Sequence, residues 1–194
     1  MSADAPIGRG KALLQGPLTG TAVVLINRRL PANLEYPLRT GSMPTPDLVA
    51  PNAIIPALKV NGKKQALTEI AAKAATLTGR SERMILEILL QREKLGSTGV
   101  GNGVAIPHGK LPNLNQVVGV FARLERPVDF DALDGQPVDL IFLLLAPEGA
   151  GADHLKALAR VARLLRDPEV ARKLRNSHDA EALYAVLAMP ASAA

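Results

Sequence analysis

The 194-residue sequence has no cysteine, no tryptophan and few aromatic side chains of any kind, only 3% of the total. Without cysteine the chain forms no disulfide, no thiolate metal site and no cysteine nucleophile. This composition fits a reducing compartment, and we expect a cytoplasmic protein. The core must therefore be aliphatic, which is feasible because 47% of the residues are hydrophobic.

Long apolar runs and clustered basic charge are also missing. No run approaches the roughly 20 apolar residues of a membrane-spanning helix. The apolar block at residues 22–26 is shorter than the core of a secretion signal. The net charge of +5 is divided between residues 1–43, with +3, and residues 44–194, with +2, and no Lys/Arg cluster has interleaved aromatic residues. We therefore expect neither membrane insertion nor nucleic-acid binding.

Composition divides the chain near residue 44. Residues 1–43 are rich in Gly, Pro and Thr, contain one possible short strand at 22–27, and are predicted to form a poorly ordered extension. Met43 is a second candidate for the start of the protein, and a functional arm is the other interpretation of the upstream residues. We predict a single domain over residues 44–190, followed by a tail at 191–194.

From residue 45 onward, strand and helix patterns alternate, which predicts an α/β domain with a small mixed β-sheet flanked by helices on both sides. Apolar residues recur at helical spacing after Asn61, with Gly79 as the stop, and Ser81 is placed to cap a second helix. The apolar run VDLIFLLLA indicates a central strand that is buried on both faces. The predicted strands are 54–59, 104–106, 116–124 and 138–145, and the later helices are 152–165, 168–175 and 180–188.

The segment GSTGVGNGVAIPHGK, residues 96–110, contains five glycines and one of the three histidines. It matches neither nucleotide-binding fingerprint. A P-loop requires glycine where Val104 stands, and a dinucleotide loop requires its third glycine at Val104 or Ile106. Glycines do allow positive φ angles, with backbone N–H groups directed at an anion. We predict a phosphate-binding cup formed by the backbone of Gly101, Asn102 and Gly103.

His108 follows Pro107, which restrains the backbone beside the imidazole. A neutral imidazole can attack phosphorus and hold a phosphoryl group. From the residues alone, His108 is either such a nucleophile or a turn residue without a chemical role. A metal site shared by His108, His154 and Asp153 is a further alternative. The sequence lacks an H-x-x-x-H pair, and Asp153 fits better as a helix cap.

Two long blocks carry a resemblance to a known family. LLQREKLGSTGVGNGVAIPHGKLPNL and PVDFDALDGQPVDLIFLLLAPEGAGADHLKALARVARLLRDPE closely resemble the enzyme IIA domain of the bacterial phosphotransferase system. The similarity extends from about Asp47 to Ala188 and is greatest to the nitrogen-regulatory branch of the fructose/mannitol-type family. The resemblance implies a histidine that accepts a phosphoryl group from a histidine phosphocarrier protein (HPr-like, or NPr). It also implies regulatory targets such as kinases or transporters, and no cofactor, because donor and acceptor are both protein histidines.

The resemblance assigns a role to each matching residue. His108 corresponds to the phosphoryl acceptor, which uses Nε2. His154, 46 residues later, corresponds to a second histidine that stabilises charge on the phosphoryl group. Arg92, 16 residues before His108, corresponds to an arginine that pairs with phosphate oxygens. Thr98 corresponds to a hydroxyl group at the same site.

Asn102 favours the regulatory branch, because sugar-transporting relatives tend to carry glutamate at this position. The alternative is a sugar-specific enzyme IIA that passes its phosphate to a separate enzyme IIB. Both interpretations use the same site and differ only in where the phosphate goes. Four apolar residues near the site are candidates either for partner docking or for the core, namely Leu95, Val100, Val104 and Leu111.

Overall fold

The structure, a computed structural model, describes residues 48–189. Six strands of this part form one mixed sheet. The strands are β1 (Val49–Leu58), β2 (Gly99–Gly101), β3 (Val104–Ala105), β4 (His108–Leu111), β5 (Val118–Val128) and β6 (Val138–Pro147). The α-helices are α1 (Lys63–Thr78), α2 (Glu82–Lys94), α3 (Gly151–Arg166), α4 (Pro168–Asn176) and α5 (Ala180–Ala188). The predicted α/β class is confirmed.

Strand β6 lies inside the sheet and carries a long buried run. β5 pairs with β6 in antiparallel orientation on one side. β3 and β4 pair with β6 in parallel orientation on its other side, one after the other. The strand order is β1-β5-β6-β3-β2, with β4 beside β6. Residues 140–146 are fully buried, as the apolar run predicts for a central strand.

Alternate residues of β6 enter two separate hydrophobic clusters, because side chains along a strand point to opposite faces. Phe142 and Leu144 belong to the cluster that contains the buried residues of α3, α4 and α5. Ile141 and Leu143 belong to the cluster that contains the buried residues of α1 and α2. Helices therefore cover both faces of the sheet, as the sequence predicts.

The helix ends follow the sequence signals closely. α1 ends at Gly79, whose φ of 66° lies in the left-handed region that glycine tolerates. The Ser81 side chain accepts a hydrogen bond from a backbone N–H in the first turn of α2. Asp167 accepts from two such groups in α4, where Pro168 takes the first helical position. The last helix spans residues 180–188 as predicted.

The strands differ more from the expectations. β1 begins at Val49, five residues before the predicted start, although it contains Pro51 and Pro56. It is an edge strand with register shifts against β5, and prolines are tolerated at sheet edges. β2 and β4 are not predicted at all. They are three and four residues long and contain glycine, so they carry no readable alternation pattern.

Several expectations concern residues outside the described range of 48–189. These are the poorly ordered extension at 1–43, the short strand at 22–27 and the tail at 191–194. The domain limits at residues 44 and 190 likewise stay predictions. Among the helices that the structure describes, none is both long and apolar enough to cross a membrane.

Candidate active site

His108 is the first residue of β4, beside β6. Its backbone pairs with Leu144, whose N–H donates to the Pro107 carbonyl at 2.9 Å. The imidazole is half-buried, and its Nδ1 lies 2.9 Å from the Ile106 carbonyl oxygen. A carbonyl oxygen only accepts hydrogen bonds, so Nδ1 carries the ring proton and donates.

Arg92 contacts the other ring nitrogen of His108 from the last turn of α2. Its Nε donates to His108 Nε2 at 3.0 Å. Its Nη1 donates to the Gly96 carbonyl at 3.0 Å, which holds the guanidinium across the end of the helix. Because a guanidinium has only donors, His108 Nε2 must be the acceptor. Both contacts therefore define the same tautomer, with the lone pair on Nε2.

His154 reaches the site from α3, on the opposite face of the sheet. Its side chain is buried, at 7% exposure. The ring centroids of His154 and His108 are 5.7 Å apart, and the planes are inclined by 51°. His154 Nδ1 is buried and has no hydrogen-bond partner in residues 48–189. The structure thus brings together three of the residues singled out in the sequence, from α2, β4 and α3.

Both histidines are shifted toward their neutral forms. Burial is the main cause that lowers the pKa of His108, and the nearby Arg92 charge adds to it, against the opposing effect of the hydrogen bond to Ile106. Burial also lowers the pKa of His154, with contributions from His108 and Lys110. A neutral imidazole has a free lone pair, which nucleophilic attack requires.

Asp153 does not join the two histidines. α3 begins without a side-chain cap, so the predicted capping role of Asp153 is wrong. Its carboxylate is 70% exposed and lies 3.5 Å from Lys156 Nζ. In residues 48–189 no group of three or more His, Cys, Asp or Glu side chains could hold a metal ion. His178, the third histidine, is exposed.

Thr98 lies between α2 and β2 and is 4% exposed. Its hydroxyl donates to Glu93 Oε2 at 2.6 Å, and its backbone N–H donates to the same carboxylate at 3.0 and 3.2 Å. The hydroxyl is therefore directed at Glu93. Thr98 is connected to the site through its carbonyl, which accepts from the Ile106 N–H at 2.9 Å.

The backbone of the turn Gly101–Asn102–Gly103 serves a different purpose from the predicted cup. All three residues have positive φ angles, as a tight turn between β2 and β3 requires. The Asn102 N–H donates to an Asp134 carboxylate oxygen at 2.8 Å. The Gly103 carbonyl accepts hydrogen bonds from the backbone N–H groups of Asp139 and Leu140 at the start of β6. His108 pairs instead with Leu144, which lies about 15 Å farther along β6 at roughly 3.3 Å per residue. The structure does not bring this turn to the imidazole.

Glu93 has a structural role that the sequence analysis missed. Glu93 follows Arg92 and forms an ion pair with Lys63 at 2.7 Å, with only 7% of the glutamate side chain exposed. The signal available in the sequence is weak, because an acidic residue beside an arginine at a helix end is common on protein surfaces. Only the contact with α1 shows that this carboxylate is buried.

The four apolar candidates divide evenly between surface and core. Leu95 is 86% exposed and Val100 is 37% exposed. Val104 and Leu111 are fully buried and belong to the two hydrophobic clusters, so a docking role for them is wrong. Leu95 lies three residues after Arg92, which puts an exposed leucine beside the site.

Residues 47–189 match the family described as phosphoenolpyruvate-dependent sugar phosphotransferase system, EIIA 2. The chain belongs to this family. It is 72% identical over 152 residues to the nitrogen regulatory protein of Bradyrhizobium diazoefficiens, covering 78% of this chain and 99% of that protein. It is 48% identical over 126 residues to the nitrogen regulatory protein of Klebsiella oxytoca, covering 64% and 78%.

A solved structure supports the same assignment. The crystal structure of nitrogen regulatory protein IIA-Ntr from Neisseria meningitidis aligns with a TM-score of 0.69 at 38% identity, covering 72% of this chain and 96% of that chain. The resemblance to enzyme IIA, and to its nitrogen-regulatory branch, is therefore confirmed. Membership of the enzyme IIA family assigns phosphoryl transfer to the chain in general terms and leaves open its donor and its targets.

Proposed function

We propose that this enzyme IIA protein is a phosphohistidine relay with a regulatory role. His108 accepts a phosphoryl group from a histidine phosphocarrier protein, HPr-like or NPr. The phosphorylation state of His108 then controls partner proteins such as kinases or transporters. The observation that carries the proposal is the hydrogen-bonding of the imidazole, with Nδ1 bound to Ile106 and the Nε2 lone pair directed at Arg92.

The transfer requires little covalent work from the protein. The bond from His108 Nε2 to phosphorus forms as the nitrogen–phosphorus bond of the carrier breaks, and the carrier histidine recovers its lone pair. His108 keeps its Nδ1 proton and becomes cationic, which the Ile106 carbonyl stabilises through its existing bond. Positioning and charge stabilisation supply the catalysis in such reactions.

Arg92 has two successive tasks in this scheme. In the free protein, Arg92 Nε–H donates a hydrogen bond to the lone pair of His108 Nε2. This hydrogen bond must break before that lone pair can attack phosphorus. The same group can then donate to an oxygen of the incoming phosphoryl group, while Nη1 stays bound to Gly96. His154, whose ring centroid is 5.7 Å from that of His108, can stabilise a remaining oxygen. Thr98 supports the site through its backbone carbonyl, which accepts a hydrogen bond from the Ile106 N–H.

Regulation follows from the charge of the product. A phosphoryl group adds about −1.5 to −2 charge near neutral pH. On His108 Nε2 it would lie beside Arg92, so it changes the charge that this half-buried site presents to a partner. The proposal includes a cytoplasmic location, where a phosphoenolpyruvate-fed carrier would be found.

The direct test is phosphorylation in a reconstituted system. The full chain is mixed with phosphoenolpyruvate, enzyme I and a histidine phosphocarrier, and acid-labile phosphate is detected by mass and by phosphorus NMR. We expect one phosphate on the wild type, none on His108→Ala, and an unchanged amount on His178→Gln, which alters an exposed histidine elsewhere. An unlabelled wild type beside a fully charged carrier would contradict the proposal, and label on His108→Ala would move the acceptor to another residue.

A sugar-specific role is the second candidate, because the family as a whole is described as a sugar phosphotransferase system. On this alternative, phosphate passes from His108 to a separate enzyme IIB and on to a sugar. Adding an enzyme IIB and its sugar to the labelled protein distinguishes the two. Rapid loss of phosphate to the sugar would support the alternative, and retention on His108 supports the regulatory role.

A further inference from the structure

Glu93 is a buried carboxylate at the end of α2, immediately after Arg92. It lies 2.7 Å from Lys63 Nζ and accepts hydrogen bonds from both the hydroxyl and the backbone N–H of Thr98. Burial by itself would raise the pKa of Glu93, but the hydrogen bonds from Lys63 and Thr98 outweigh it and lower that pKa. The carboxylate is therefore ionised at neutral pH, in a place where it is largely shielded from water.

One chain of hydrogen bonds leads from Glu93 to Nδ1 of His108. Glu93 holds Thr98, and the Thr98 carbonyl accepts from the Ile106 N–H at 2.9 Å. The Ile106 carbonyl in turn accepts from His108 Nδ1, also at 2.9 Å. The direction of the Nδ1 bond thus depends on a backbone segment that Thr98 supports.

A second chain of hydrogen bonds leads from the backbone carbonyl of Glu93 to Nε2 of His108. The Gly96 N–H donates to the Glu93 carbonyl at 3.2 Å, and the Gly96 carbonyl accepts from Arg92 Nη1 at 3.0 Å. Arg92 Nε then donates to His108 Nε2 at 3.0 Å. The two chains meet at His108, but only the first starts at the Glu93 carboxylate, which ties Thr98 to α2. The second starts at the Glu93 backbone carbonyl and does not depend on the side chain.

We infer that Glu93 is a positioning residue, whose buried carboxylate holds Thr98 against the end of α2 and thereby sets the hydrogen bond that Nδ1 of the acceptor histidine donates. Its effect on the rate of phosphoryl transfer rests on the proposed function. Its effect on the tautomer of His108 does not, because the tautomer can be measured in the free protein.

The charge of Glu93 matters as well as its shape. Oε1 accepts from Lys63 and from the Thr98 N–H, and Oε2 accepts from the same N–H and from the Thr98 hydroxyl. Glutamine has almost the same shape but replaces one of these acceptors with an NH₂ group. Lys63 would stay in place, because it also donates to Asp131 and to the Phe130 carbonyl at 3.0 Å. Glu93→Gln therefore loosens chiefly the bonds to Thr98.

Two pairs of variants separate positioning from folding. Thr98→Val removes the hydroxyl that Glu93 holds and keeps the side-chain volume, whereas Thr98→Ser keeps the hydroxyl. Glu93→Gln is matched by Glu87→Gln, which changes a 58% exposed glutamate on the same helix. The full chain is used throughout, and the circular dichroism spectrum and thermal midpoint of each variant show whether it is folded.

The first readout is the nitrogen-15 NMR spectrum of the His108 ring at a pH where it is neutral. We expect the wild type, Thr98→Ser and Glu87→Gln to show the single tautomer with the proton on Nδ1. We expect Glu93→Gln and Thr98→Val to show a mixture of both tautomers. The second readout is the rate of phosphorylation by a charged carrier, which we expect to fall roughly tenfold to a hundredfold in these two variants, since a displacement of about 1 Å has effects of that size.

The outcomes are distinct. Folded Glu93→Gln and Thr98→Val proteins with the wild-type tautomer and rate would overturn the inference. The same result in Thr98→Val alone, with Glu93→Gln unfolded, would overturn it as well. If the two variants lose the single tautomer but no form of the protein accepts phosphate from a charged carrier, the positioning role of Glu93 stands and the proposed relay fails.

Discussion

At the scale of single residues, the two ring nitrogens of His108 have different neighbours. Nδ1 donates to the Ile106 carbonyl, which is part of the backbone and cannot change position unless β4 moves. Nε2 accepts from the side chain of Arg92, which can change its conformation separately from the backbone. Phosphorylation on Nε2 would keep the first bond and exchange only the second. The site is thus arranged so that the ring stays in place while a side chain moves.

Arg92 offers a test of this exchange. Arg92→Lys keeps the charge but has no fork that can contact Gly96 and a phosphate oxygen together. A lost hydrogen bond to a charged group costs about 1.5–3 kcal/mol, which corresponds to roughly tenfold to a hundredfold in rate. We expect the rate of His108 phosphorylation to fall by that factor, as measured by quenched-flow mixing with a charged carrier.

We also expect Arg92→Gln to change the pKa of His108. Burial is the main cause of the lowered pKa of His108, and the Arg92 charge adds to it, so removing the charge raises the pKa of His108 toward its ordinary value. NMR titration of the ring should show this rise in Arg92→Gln and not in Arg92→Lys. Arg83→Gln, 88% exposed on the same helix, is the control. An unchanged pKa in Arg92→Gln would show that the guanidinium does not act on the free imidazole.

At the scale of elements, Gly109 determines how closely α2 approaches β4. A Cβ atom at residue 109 would collide with Cγ2 of Ile88. Arg92 lies four residues after Ile88, one turn along the same face of the helix. The glycine beside His108 therefore serves to bring the arginine within reach of the imidazole.

Gly109→Ala should consequently affect stability and activity together. Overpacking of this kind costs about 1–3 kcal/mol, which a urea titration would measure. We also expect slower phosphorylation, because α2 must shift and carries Arg92 with it. Ile88→Ala removes the colliding Cγ2 atom, so the double variant should be more stable than the two separate effects predict. Gly62→Ala, with nothing within 4 Å of its Cβ, is the control, and a loss in the control as large as in Gly109→Ala would contradict the explanation.

At the scale of the whole molecule, the site makes stability depend on pH. His108 and His154 both have a folded-state pKa below the ordinary value of 6.5. Below that pH the unfolded chain binds protons that the folded chain does not, so proton binding stabilises the unfolded state and lowers the free energy of unfolding. We expect the thermal midpoint to fall as the pH decreases from about 6.5, until the folded-state pKa values are reached.

A double variant, His108→Gln with His154→Gln, should flatten this part of the pH profile. A second decrease is expected at lower pH. Glu93 has a folded-state pKa below its ordinary 4.5, so its contribution to stability is lost as the pH falls below that value. Calorimetric scans between about pH 8 and 2 would show both steps. An equal slope in the double variant and the wild type would mean that other groups control the acid limb.

Local patterns predicted most of the framework. The helix limits followed from caps and stops such as Ser81, Gly79 and Pro168, because these act within a few residues of their own position. The central position of β6 followed from its unbroken apolar run, since only a strand buried on both faces tolerates one. The short strands β2 and β4 had no such signal.

The sequence by itself determined the α/β class, the enzyme IIA resemblance and the importance of His108, because helix capping, apolar periodicity and an extended motif can all be read along the chain. Only the tertiary structure decided which partners the two ring nitrogens of His108 have, that the Thr98 hydroxyl is directed at Glu93, and that the Gly101–Gly103 turn lies away from the imidazole. Those outcomes depend on hydrogen-bond partners and on sheet register, which bring together residues far apart in sequence. A donor or acceptor has many possible partners along a chain, and packing selects among them.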